Sequence, residues 1–214
     1  MHRLLMILMM LAAPAVADPV DDVAATADRL FPDMPRVSRV ANIAGQCGAD
    51  ETVHPVAAYC TSQNRILVAS DAAGRPETPY LVAHLFGHAV QVRHGVADVA
   101  LAAIRSRRDE EDMLRGLVER QVDCIAGFLL AQAGVSAPDL TALFTEDPLS
   151  GPHWGRDPLR IGPEVTVPIA ARQEWLAIGQ GGDLSLCAPG EFTADLLLAA
   201  LRTSRRAMTV STQA

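Results

Sequence analysis

Two histidines four residues apart, His84 and His88, sit inside the apolar run Ala83-His84-Leu85-Phe86-Gly87-His88-Ala89-Val90-Gln91. On a helix this spacing sends both imidazoles from one face, where they can share a metal ion. Alone the pair says little, because histidines on an apolar helix are more often core or half-exposed groups. A second run, Glu119-Arg120-Gln121-Val122-Asp123-Cys124, sets two carboxylates four apart on one face, beside the small residues Ala126 and Gly127, which let another helix pack close. Turned towards the histidines, Glu119 completes a set of two imidazoles and one carboxylate with a fourth position open to water, a donor set for zinc. Asp123 then falls where it can orient a ligand histidine from behind. The competing reading is that both acids are merely solvated.

These runs resemble the motifs of the bacterial neutral zinc metallopeptidase family, whose first helix carries AHExGHxxQ and whose later helix carries ELQADCxAG. Cys47, Tyr59-Cys60 and Ile66-Leu67 are similar to that family's cysteine, its YC turn and the strand after it. His153-Trp154-Gly155, Arg172, Trp175, Gly179, Gly181 and Cys187 are similar to its C-terminal segment, so the likeness covers about residues 41–187. The resemblance implies a zincin-like fold with His84, His88 and Glu119 as ligands of one zinc ion, Asp123 as the partner behind them and His153 as a candidate auxiliary residue. It also implies disulfides joining Cys47 to Cys60 and Cys124 to Cys187, because the family's cysteines fall into these two groups.

The departure from the family lies at its reacting position. Leu85 stands where HExxH carries glutamate, the group that takes a proton from metal-bound water and passes it to the leaving amine, and leucine can do neither. A positioned general base contributes about 10²- to 10⁴-fold, or about 2.7 to 5.4 kcal/mol of barrier, and its loss leaves the ligand set untouched. Tyr80, Glu77 and His153 are the candidates for a substitute base. The segment between Ala69 and Thr78 is shorter than usual in the family, and an apparent insertion containing Pro158, Pro163 and Pro168 lies between Gly155 and Ala171.

Helices must carry both runs. Thr78 as cap, Pro79 at the first helical position and Gly95 past the end predict a helix from about Pro79 to His94. The acids Asp109, Glu110, Glu111 and Asp112 at a positive helix end, with Gly134 as the stop, predict a second over about 109–133. Residues 20–30, 97–108, 138–144, 170–178 and 192–206 also read as helices. Val37 to Ala44 is extended or mixed, Asn64 to Ala69 is a short β-branched strand, Asp71 to Pro79 is turn-rich, and Gly151 to Pro168 is a Gly- and Pro-rich loop. The expected fold class is mainly α (α+β), a single zincin-like domain over residues 18–206 with a small strand element and a C-terminal tail over 207–214.

The chain's first residues set the compartment. His2 and Arg3 precede the apolar run Leu4 to Leu11, and Ala15-Val16-Ala17 precedes Asp18, the layout of a signal peptide over residues 1–17. The apolar stretch to Ala17 is shorter than the ~20 residues that span a bilayer, and Pro14 interrupts it, so no stable membrane anchor is expected after cleavage. Export, to the periplasm or outside the cell, makes disulfides permissible for the four cysteines, which sequence alone could pair in three ways. No CxxC pair supports a four-cysteine zinc site. All 18 basic residues are arginine against 25 acids, a net charge of -7 without a basic stripe, which disfavours nucleic acid as a partner. The expectation is therefore an exported zinc protein with lost or weak peptidase activity that binds a peptide or protein ligand. The alternatives are an active metallohydrolase with another base, and a disulfide-stabilised interaction domain without metal.

Overall fold

Asp18 accepts the Val20 N–H at 2.9 Å and Pro19 occupies the first turn, so the first helix, α1 (Pro19–Leu30), starts from a built cap in this computed structural model. The structure describes residues 18–49, 53–149, 152–154, 161–201 and 203, with the side chains of 152–154 and 161–164 excepted. The expected signal peptide (1–17) and tail (207–214) lie outside the described residues. Val20, Val23, Ala27 and Leu30 turn one stripe of α1 into the core.

Next come β1 (Arg36–Val40), β2 (Ala57–Cys60) and β3 (Arg65–Ala69). The sheet order is β1-β3-β2, with β3 central, parallel to β1 and antiparallel to β2. Ile66 to Ala69 are all buried, as a central strand covered on both faces requires. The site-bearing helix α2 (Thr78–Arg93) follows and is buried almost all round, from Tyr80 to Ala83 and through Phe86, Gly87, Ala89 and Val90. Burying a side chain such as Leu81 or Phe86 stabilises the fold by about 1.5–3 kcal/mol, so α2 is the axis on which the domain is built.

The expected cap of α2 is corrected. Thr78 lies inside the helix, Glu77 is the residue at its cap, and the Thr78 hydroxyl donates to the Ala72 carbonyl at 2.7 Å. Arg93 ends α2, and Gly95 opens α3 (Val96–Ser106) with a left-handed φ of 83° that favours glycine. A 3₁₀ turn over Arg108–Glu110 takes up the first acids expected in the next helix, so α4 begins at Glu111 and runs to Ala133. Gly134, with φ 69°, closes α4.

Asp139 caps the short α5 (Leu140–Leu143), and α6 (Ile169–Gln180) lies against α4. Between them the expected loop over 151–168 holds a two-stranded antiparallel pair instead, β4 (Pro152–Trp154) with β5 (Ile161–Glu164). Residues 195–201 are helical, within the helix expected over 192–206. The molecule is thus mainly helical with a small three-stranded sheet, and none of its described helices is long and apolar enough to cross a membrane.

Disulfides join Cys47 to Cys60 and Cys124 to Cys187. The second ties α4 to the segment after α6. Gln121 reinforces that tie, donating to the Cys187 carbonyl at 2.9 Å while its own carbonyl accepts from Gln91 on α2 at 3.0 Å.

Candidate metal centre

Three close helix approaches bring the chemistry together, and each depends on a glycine. Gly87 lies between His84 and His88 on α2, where a Cβ would stand 2.8 Å from the Val122 carbonyl oxygen of α4. Gly127 on α4 and Gly179 on α6 meet the partner backbone still more closely, since a Cβ there would stand 2.0 Å from the Leu176 oxygen and 1.8 Å from the Cys124 oxygen. Because α2, α4 and α6 can touch backbone to backbone, the imidazoles of α2, the carboxylates of α4 and Arg172 of α6 share one buried space.

His84, His88 and Glu119 each offer one ligand atom, and these atoms lie within 4.8 Å of one another, so the group could hold a metal ion. The individual separations are 3.1 Å from His84 Nε2 to His88 Nε2, 3.5 Å from His84 Nε2 to Glu119 Oε2 and 3.6 Å from His88 Nε2 to Glu119 Oε1. Four-coordinate bonds of about 2.0–2.2 Å place neighbouring ligand atoms about 3.3–3.6 Å apart; both imidazole–carboxylate separations match this, and the two imidazoles stand slightly closer. His84 and Glu119 are 1% and 2% exposed, whereas His88 is half-buried and forms the solvent side of the group.

Asp123 sits behind the ligands and is fully buried. Its Oδ1 accepts from His84 Nδ1 and from the Tyr80 hydroxyl, both at 2.9 Å, and its Oδ2 accepts from Arg172 at 2.9 Å. The carboxylate therefore assigns the His84 proton to Nδ1 and leaves the Nε2 lone pair facing His88 and Glu119, the tautomer a metal ligand needs. Burial, and then Asp123 itself, hold the Tyr80 phenol well above its ordinary pKa. With its proton given to Asp123, Tyr80 is a donor and not a substitute base.

Arg172 is fully buried on α6, donating to Asp123, to Glu119 Oε2 at 3.3 Å and to both oxygens of Asp147 at 2.9 and 3.0 Å. Burial disfavours its charge, but the Asp123 and Glu119 carboxylates outweigh that and raise its pKa above the ordinary arginine value. His54 is half-buried ahead of β2, with Nδ1 accepting the Val56 N–H at 3.2 Å. Burial lowers its pKa, and the Glu77 carboxylate opposes the shift. Leu85 packs its partly buried side chain against the core cluster.

Sequence reasoning named His84, His88, Glu119 and Asp123, and the structure brings all four together. It did not assign roles to Arg172, Asp147 or His54. An arginine in the small, apolar stretch Ile169-Ala170-Ala171 was the available signal for Arg172, while Asp147 before Pro148 reads as an ordinary turn residue. His153 belongs to β4, and its side chain lies outside the described part.

Comparison with protein-family models, with curated proteins and with solved structures finds no match for this chain. The functional reading therefore rests on its own residues.

Proposed function

We infer that this chain is an exported zinc-binding protein of the neutral zinc metallopeptidase type whose peptidase activity is lost or weak, and that it binds a peptide or protein partner. The observation that carries the reading is a contrast within one helix turn. Two imidazoles and Glu119 meet at ligand spacing, with Asp123 supporting His84, while the residue directly after the first ligand is the apolar Leu85. The two disulfides support an oxidising compartment outside the cytoplasm.

When bound, zinc polarises a carbonyl and lowers the pKa of its water to about 7. The chain's own groups decide whether cleavage can proceed from there. Glu119 and His84 are held from behind, His88 is the half-buried member of the set, and Leu85 can neither accept nor return a proton. Such a site favours holding a carbonyl-bearing segment over cutting it.

Leu85→Glu tests this division directly. It should keep the metal and raise hydrolysis of unstructured peptides by about 10²- to 10⁴-fold over a near-background wild type. Adding His88→Ala to the same variant, with chelated controls, separates revived chemistry from contaminating protease. A second reading is an active hydrolase with another base, for which Glu77 and His153 are the candidates. Efficient cleavage by the wild type that Glu77→Ala or His153→Ala abolishes would favour that reading over the first.

A further inference from the structure

Arg172 is among the largest fully buried side chains of the described residues. Its guanidinium is divided between two tasks. On one side Nε and one terminal nitrogen form a two-pronged pair with Asp147, at 2.9 and 3.0 Å. On the other, the remaining terminal nitrogen reaches Asp123 Oδ2 at 2.9 Å and Glu119 Oε2 at 3.3 Å. That Glu119 oxygen is also the one 3.5 Å from His84 Nε2, so Arg172 addresses an atom of the ligand set itself.

Asp147 has duties of its own. Its Oδ1 accepts the Leu149 N–H and its Oδ2 the Val167 N–H, each at 3.0 Å. One carboxylate therefore fastens the backbone at Leu149 and at Val167 and clamps Arg172 as well. A planar guanidinium cannot turn towards one partner without leaving another, and lysine, with a point charge on a flexible stem, cannot reproduce the fork. The contacts form one continuous line from the backbone at Leu149 and Val167, through Asp147 and Arg172, to Glu119, Asp123 and His84.

Resting on the reading of His84, His88 and Glu119 as a metal site, we propose that Arg172, clamped by Asp147, is the positioning residue of the metal centre, and that it couples metal occupancy to the anchoring of the backbone at Leu149 and Val167. Arg172 fixes the Glu119 carboxylate on its ligand side and holds Asp123 in register with His84 Nδ1. A bound ion in turn stiffens Glu119, and through Arg172 and Asp147 it stabilises the two amides. A purely structural ion pair between α4 and α6 would instead affect folding alone.

The test is a metal titration of the mature protein, with Zn²⁺ against a chromophoric chelator and Co²⁺ followed by its absorption bands, for wild type, Arg172→Lys and Asp147→Asn. Folded fraction is measured by circular dichroism in the same samples. Partners behind a ligand set typically alter affinity by about 10- to 100-fold, so both variants, while folded, should weaken binding within that range and shift the cobalt bands. Metal should also slow amide exchange at Leu149 and Val167 in the wild type. If the wild type takes up no metal, the metal-site reading fails, and this proposal with it. If it binds and the folded variants bind within about twofold of it, the metal site stands and the positioning role is overturned. Should both variants fail to fold, wild-type exchange decides: slowing at both amides on metal addition supports the coupling, and unchanged exchange overturns it.

Discussion

Asp123 shows how much one buried carboxylate decides, since the proton it accepts from His84 Nδ1 fixes which imidazole nitrogen faces the ligand group. Asp123→Asn can offer an N–H to that nitrogen instead, favouring the wrong tautomer. Metal affinity should fall about 10- to 100-fold in a competition titration, and retention of wild-type affinity would contradict the role. Away from the site, His94 sets part of the pH response. Its pKa lies below the ordinary 6.5 because burial disfavours the cation, with Asp33 opposing and Arg93 adding to the shift. Its Nε2 is buried without a hydrogen-bond partner among the described residues. The unfolded chain takes up this proton at higher pH than the folded one. The stability His94 contributes is thus complete above about pH 6.5 and is lost as pH falls below that value. His54 shifts in the same direction, so His94→Gln should reduce, without abolishing, the drop in melting temperature between about pH 7.5 and about pH 5. An unchanged drop would show that His94 does not contribute.

The helices carrying the ligands were legible in sequence because their signals are local. Four-residue spacing sets His84 with His88 and Glu119 with Asp123, and Gly95 and Gly134 mark helix boundaries. The misreadings arose where a distant partner decides. Thr78 looks like a cap, but its hydroxyl goes to Ala72, and the 151–168 stretch looks like a loop because its Gly and Pro content hides the pairing of β4 with β5. Arg172 and Asp147 acquire roles only once α4 and α6 touch. The glycines test that contact. Gly127→Ala and Gly179→Ala must push α4 and α6 apart, which should cost about 1–3 kcal/mol or more and weaken metal binding as Arg172 is drawn from Glu119. Gly116→Ala, on α4 with open space around its Cβ, should stabilise by about 0.5–1 kcal/mol. Denaturant midpoints for the three variants measure the contrast, and equal effects would mean that the close approach is not what positions the site.

Across the whole molecule, one cross-link holds the end of β2 and the other joins α4 to the segment after α6. Across sequence separations of 13 and 63 residues, loop-closure entropy gives about 3 and about 4 kcal/mol of stabilisation. Replacing Cys124 and Cys187 together should therefore lower stability more than replacing Cys47 and Cys60, as read by urea unfolding; the reverse order would point to native-state effects outside this entropy. Mass spectrometry of unreduced digests checks the pairing itself, which the family resemblance implied and spacing alone left open. Elemental analysis of mature protein purified without chelator, wild type beside His84→Ala, His88→Ala and Glu119→Ala, decides whether the ligand set holds an ion. The wild type should carry about one zinc per chain and each variant should lose most of it, because two remaining protein ligands make a poor zinc site. A wild type without zinc, or three folded variants that keep it in full, would contradict the site.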